Sequence, residues 1–112
     1  MAGDDAQESF IGIFVAPNNT ILGTQRVSVG GFAHTSVDPK ALFGAAILSG
    51  ASAIIVGHNH PSGDVQPSAA DDEMTQQLLR AGQALTLKLL DHIVFSRDDY
   101  FSYVASGRLK FS

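Results

Sequence analysis

The chain has no cysteine. That absence rules out disulfides, thiolate metal sites and a cysteine nucleophile, and leaves histidine and carboxylate as the side chains able to bind a transition metal. Long apolar runs are missing too. None approaches the roughly 20 residues a membrane helix needs, and the polar start Met1-Ala2-Gly3-Asp4-Asp5-Ala6-Gln7 lacks the charge pattern and apolar core of a signal peptide. A soluble, cytoplasmic protein is expected. Charge is scarce, at 16% of residues, and net negative at −4. The basic residues Arg26, Lys40, Arg80, Lys88, Arg97, Arg108 and Lys110 are scattered and form no stripe that would neutralise a phosphate backbone, so tight nucleic-acid binding by this domain alone is not expected.

What is present fits one domain. At 112 residues the chain has too little material for a second core, and its 45% apolar share is ordinary for a globular protein. Residues 1–7 read as a flexible tail and residues 8–112 as a single domain. Glu8 to Ala16, rich in β-branched and aromatic residues, precedes the turn signal Pro17-Asn18-Asn19 and the run Thr20 to Val29, which predicts a hairpin. Asp38-Pro39 reads as an N-cap with proline at the first helical position, followed by a stripe of Leu42, Phe43, Ala46 and Ile47 that ends at Gly50. Ala53-Ile54-Ile55-Val56 is short and apolar throughout, as a strand covered on both faces would be. Pro67 and Ser68 open a second helix carrying Met74, Leu78, Ala81 and Leu85 at helical spacing. Leu87 to Phe95 and Tyr100 to Val104 read as two final strands around Ser96-Arg97-Asp98-Asp99. This order predicts an α/β fold with a central mixed sheet flanked by helices.

The chemistry is concentrated in His58-Asn59-His60-Pro61 and Ser68-Ala69-Ala70-Asp71. In extended backbone, residues two apart point to the same side, so both imidazoles can reach one metal. A turn at Pro61-Ser62-Gly63-Asp64 folds the chain back, and a carboxylate in the first turn of the next helix can supply a third ligand. Two nitrogens and one carboxylate with a position left for water make an open, hydrolytic kind of zinc site. Ser68 and Asp71 have a second reading, because SxxD at a helix start is also a capping box. Both readings stay open at this point. His34 and Asp64 read as loop residues, and Asn59 as facing away from the metal with its amide holding the loop. Asp91 and His92, adjacent in a strand, must face opposite ways, and both read as structural polar groups.

His58-Asn59-His60-Pro61-Ser62-Gly63, then Pro67-Ser68 and Asp71, resembles the JAMM signature of the MPN/JAB metalloproteases, HxHP then SxxD, in the form used by the bacterial RadC family. The likeness extends to Leu90-Asp91-His92-Ile93, to Tyr100-Phe101-Ser102 and back to Glu8, and so covers nearly the whole chain. It implies the JAB/MPN fold, a cytidine-deaminase-like three-layer arrangement. It implies that His58, His60 and Asp71 ligate Zn2+, that Glu8 is the general base on the water the zinc activates, and that Ser68 helps hold the oxyanion. The reaction implied is peptide or isopeptide hydrolysis. Of the two glutamates, Glu73 lies about 200° around the helix from Asp71, which leaves Glu8 as the better base. Thr86 stands where the family pattern has a glycine, and Lys40-Ala41 where it has Arg-Glu; the first bears on the helix end, the second on a surface contact. Two other readings are a noncatalytic MPN-like interaction module and a DNA-repair-associated domain acting with nucleic acid. The substrate, an unknown protein or peptide, and the oligomeric state are not written in the sequence.

Overall fold

A computed structural model describes residues 8–30 and 38–109 of the chain. The expected tail at residues 1–7 and His34 lie outside the described residues. β1 (Glu8–Val15) and β2 (Ile21–Gly30) form the expected hairpin, followed by α1 (Pro39–Ser49), β3 (Ala53–Asn59), α2 (Ala69–Leu85), β4 (Lys88–Phe95), β5 (Tyr100–Ser102) and a short α3 (Tyr103–Ser106). The five strands make one mixed sheet in the order β2-β1-β3-β4-β5, with only β3 and β4 parallel. This is the α/β architecture expected from the order of elements. Among the described residues no helix is long and apolar enough to cross a membrane.

The core joins Phe10 and Phe14 of β1, Ile54 and Val56 of β3, and Leu89 and Val94 of β4 to Leu42, Phe43 and Ala46 of α1 and Leu78 of α2. Asp38 caps α1 by accepting from the Lys40 N–H at 3.0 Å, as the Asp-Pro signal predicts. Some expectations fail for physical reasons. The α1 stripe is narrower than expected, for Ile47 is 55% exposed. In α2 the expected face is met in part: Leu78 is buried and Met74 and Ala81 pack partly buried against the core, but Leu85 is exposed, and the most buried line is Asp71, Thr75, Leu78 and Gly82. A purely apolar periodicity cannot see a buried face that is half polar or glycine. β5 stops at Ser102, not Val104, because the Ser102 hydroxyl accepts from the Ala105 N–H at 3.0 Å and starts a helical turn that Gly107 closes.

One irregularity decides which side chains of β4 face inward. The pairing with β3 slips between Ile54 and Ile55, whose partners are Leu89 and Asp91, so Leu90 is an extra residue in β4. Strict alternation from the buried Leu89 would turn Asp91 inward. The bulge shifts the phase, and His92 and Val94 are buried instead.

Candidate metal centre

β3 continues three residues past Val56, so His58 lies inside the sheet, paired with Phe10 of β1 and Val94 of β4. His60 has just left the strand, but its N–H still bonds the Phe95 carbonyl at 2.8 Å. The two rings meet edge to face, with centroids 4.9 Å apart, so the same-side geometry of the HxH spacing holds. The turn at Gly63, with φ 90°, brings the chain back to Ser68, and α2 starts against both histidines.

Asp71 caps the helix and still turns its carboxylate toward both histidines. Its N–H donates to Ser68 Oγ at 3.1 Å and its Oδ2 accepts from the Ser68 N–H at 2.9 Å, the two halves of a capping box. The same Oδ2 lies 3.0 Å from His60 Nε2, and Oδ1 lies 3.3 Å from His58 Nδ1. Burial pushes the Asp71 carboxyl up. The His58 hydrogen bond, the Ser68 N–H and the charges of both histidines outweigh that and hold it well below the usual carboxylate range, so it is ionised near neutral pH.

One ligand atom from each of His58, His60 and Asp71 lies within 4.8 Å of the others. The donor set is two imidazole nitrogens and a carboxylate, which suits a borderline cation such as zinc, and their positions allow them to hold a metal ion. His60 Nδ1 sits 2.8 Å from the Asp64 carbonyl oxygen, an acceptor only, so Nδ1 carries the hydrogen and Nε2 is the nitrogen turned toward Asp71. Such an outer bond is how metal-binding histidines are usually oriented. Asp64 thus takes part through its backbone, a role that composition and spacing do not signal.

Asn59 reaches across to β1. Its Oδ1 accepts from the Ser9 N–H at 2.5 Å and from Ser9 Oγ at 3.1 Å, tying the start of β1 to the strand that carries the histidines. Glu8 opens β1 beside that tie, and its side chain lies outside the described residues. Ser68 is exposed, and because its Oγ accepts from Asp71 N–H, its own O–H remains a donor. Glu73 is exposed on α2. A cleft of about 640 Å³ adjoins His60, between the turn at Pro61 and Gly63 and the β4–β5 turn at Ser96–Asp99.

Behind the cluster lies a second polar group. His92 is fully buried, its ring stacked on Tyr103 at 4.7 Å and 4° and 6.2 Å from that of His58. Burial first, and the charge of His58 second, pushes it down to about 4, so the ring is neutral near pH 7. Asp91 faces the other way, accepting from Ser102 Oγ at 2.6 Å and the Val104 N–H at 3.0 Å, a structural role as expected.

A family model described as "RadC-like JAB domain" matches residues 1–108. The chain belongs to this RadC-like JAB family. Curated relatives include UPF0758 proteins of Chlorobaculum parvum, 42% identical over 89% of this chain and 45% of the relative, and of Trichodesmium erythraeum, 42% identical over 86% and 40%. A third, from Trichlorobacter lovleyi, is 41% identical over 95% of this chain and 46% of its own length. The chain spans a little under half the length of these relatives. Their names state no activity.

Proposed function

We propose that this domain is a zinc-dependent hydrolase of peptide or isopeptide bonds. The observation that carries the reading is the convergence of His58, His60 and Asp71, two nitrogens and an ionised carboxylate at the ends of two rigid elements, in a JAB-family chain. Zinc held there would supply Lewis acidity, bringing the pKa of a water toward ~7 and polarising a substrate carbonyl. Glu8 takes a proton from the attacking water and delivers it to the leaving amine. Asn59, by fixing Ser9, holds the strand start from which Glu8 acts. The Ser68 hydroxyl, still free to donate, stabilises the oxyanion that develops on the carbonyl. The cleft beside His60 gives an extended polypeptide segment room to approach.

Metal content by mass spectrometry, for protein purified without added metal or chelator, is the test. The reading requires close to one zinc per chain and its loss in the His58→Ala, His60→Ala double variant. On peptide or isopeptide substrates, Glu8→Gln then retains the zinc and loses at least about 100-fold in rate. A wild-type chain that takes up no zinc when it is supplied is a noncatalytic module.

A further inference from the structure

We propose that His92 is a positioning residue of the metal centre, acting through Thr75 on Asp71. The inference rests on the reading of His58, His60 and Asp71 as metal ligands.

Thr75 stands one helical turn after Asp71 on the buried face of α2 and has no exposed surface. Its Oγ1 lies 2.7 Å from the Asp71 carbonyl oxygen and 2.6 Å from His92 Nδ1. A hydroxyl has one hydrogen, and the carbonyl can only accept, so the Thr75 hydrogen goes to Asp71 and His92 donates from Nδ1. The chain of bonds is then His92 Nδ1–H to Thr75, and Thr75 O–H to Asp71. In the neutral ring this leaves Nε2 as a bare acceptor, and it has no hydrogen-bond partner among the described residues.

An unpaired buried acceptor is destabilising, a cost that phenylalanine at the same place would not carry. Stacking on Tyr103 and contact with Phe10, 5.9 Å away, are equally open to phenylalanine. The bond to Thr75 is what histidine adds. Its effect is directional, because β4 adjoins β3, which carries His58, while Thr75 belongs to the helix that carries Asp71. The ligands come from two elements, and His92 fixes one against the other. The next residue is gripped as well, for Asp72 accepts from the Tyr103 hydroxyl at 2.7 Å and pairs with Arg108 at 2.8 Å. Metal affinity is sensitive to such outer contacts because ligand positions must hold to about 0.5 Å.

The test is a competition titration of the chain with Zn2+ against a chromophoric chelator, alongside the visible spectrum of the Co2+-loaded protein. His92→Phe, which keeps the stack, and Thr75→Val, which is nearly isosteric, should each weaken Zn2+ binding by about 10–100-fold and shift the Co2+ bands. The double variant should lose no more than either single one, since both break the same path. Thr75→Ser restores the hydroxyl and should bring affinity back to within about threefold of wild type. A merely structural role lowers the unfolding temperature without moving the Co2+ bands. Should His92→Phe fail to fold, Thr75→Val against Thr75→Ser still decides the point. Wild-type affinity and spectrum in folded Thr75→Val would overturn the inference and leave the metal reading standing. Failure of the wild-type chain to bind Zn2+ or Co2+ overturns both.

Discussion

The two ends of α2 close the helix in different ways. At its start, Ser68 and Asp71 satisfy each other's backbone amides, and the Asp71 carboxylate still has oxygen to offer to two histidines. At its end, among the described residues, only backbone N–H groups serve as the cap. Thr86 is forced to φ 58°, and the N–H of Leu87 returns to the Gly82 carbonyl at 2.8 Å. A carboxylate has about four acceptor positions and a cap uses one, so a functional role can be added at a helix start without taking the cap apart. The far end carries no such surplus and is governed by backbone shape alone.

Gly82→Ala should break the far end most severely. A Cβ there would lie 2.2 Å from the Leu87 carbonyl oxygen, a backbone atom that cannot rotate away. A loss of about 4 kcal/mol is expected, measured by urea unfolding. A loss below about 1 kcal/mol would mean the helix end gives way easily, and the contrast between the ends would lose its basis.

The near end should carry the pH dependence. His92 has a folded-state pKa depressed from 6.5 to about 4. Above pH 6.5 the ring is neutral in both states, and its contribution to stability is at its maximum. As pH falls from 6.5 to 4 the unfolded chain takes up a proton that the folded chain refuses, so stability falls. That depression is worth on the order of 3 kcal/mol. His92→Phe should flatten that part of the stability curve, measured by denaturant titration of the metal-free protein at pH 4 to 7. Asp71, also depressed, gives way only at more acid pH, below its unfolded value of 3.8. A slope unchanged in His92→Phe would assign the dependence to another group.

Ser68→Ala separates cap from ligand. It removes the acceptor of the Asp71 N–H and should cost about 1 kcal/mol in thermal unfolding. Zn2+ affinity should change by less than about threefold, because Ser68 gives the cluster no ligand atom. A much larger loss of affinity would mean that the capping box is what holds Asp71 in place.

What the sequence disclosed follows from which of these features are local. HxH in a strand and SxxD at a helix start are short-range patterns, and the bonds that realise them span few residues, so the cluster of His58, His60 and Asp71 was legible. So were the hairpin, the two long helices and the mixed α/β class. Features that depend on register between distant segments were not. The bulge at Leu90 has no mark in composition, yet it alone decides that His92 faces inward and Asp91 outward. Thr75 is an unremarkable helix residue until His92 is placed beside it. The tie from Asn59 to Ser9 spans 50 residues and arises from the pairing of β1 with β3.

Thr86 offers the smallest effect and the opposite sign. A β-branched residue at φ 58° crowds its Cβ against the backbone, costing roughly 1–2 kcal/mol relative to a residue without one. Glycine removes that crowding but has more freedom to lose on folding, which offsets part of the gain. Thr86→Gly should therefore stabilise the domain by about 0.5–1 kcal/mol, a rise of about 2–4 °C in Tm. Zn2+ affinity should stay at the wild-type value, because the substitution lies at the end of α2 away from Asp71. A fall in Tm would show that the Thr86 side chain makes a contact worth more than the strain, and the far end would then be held by more than its backbone.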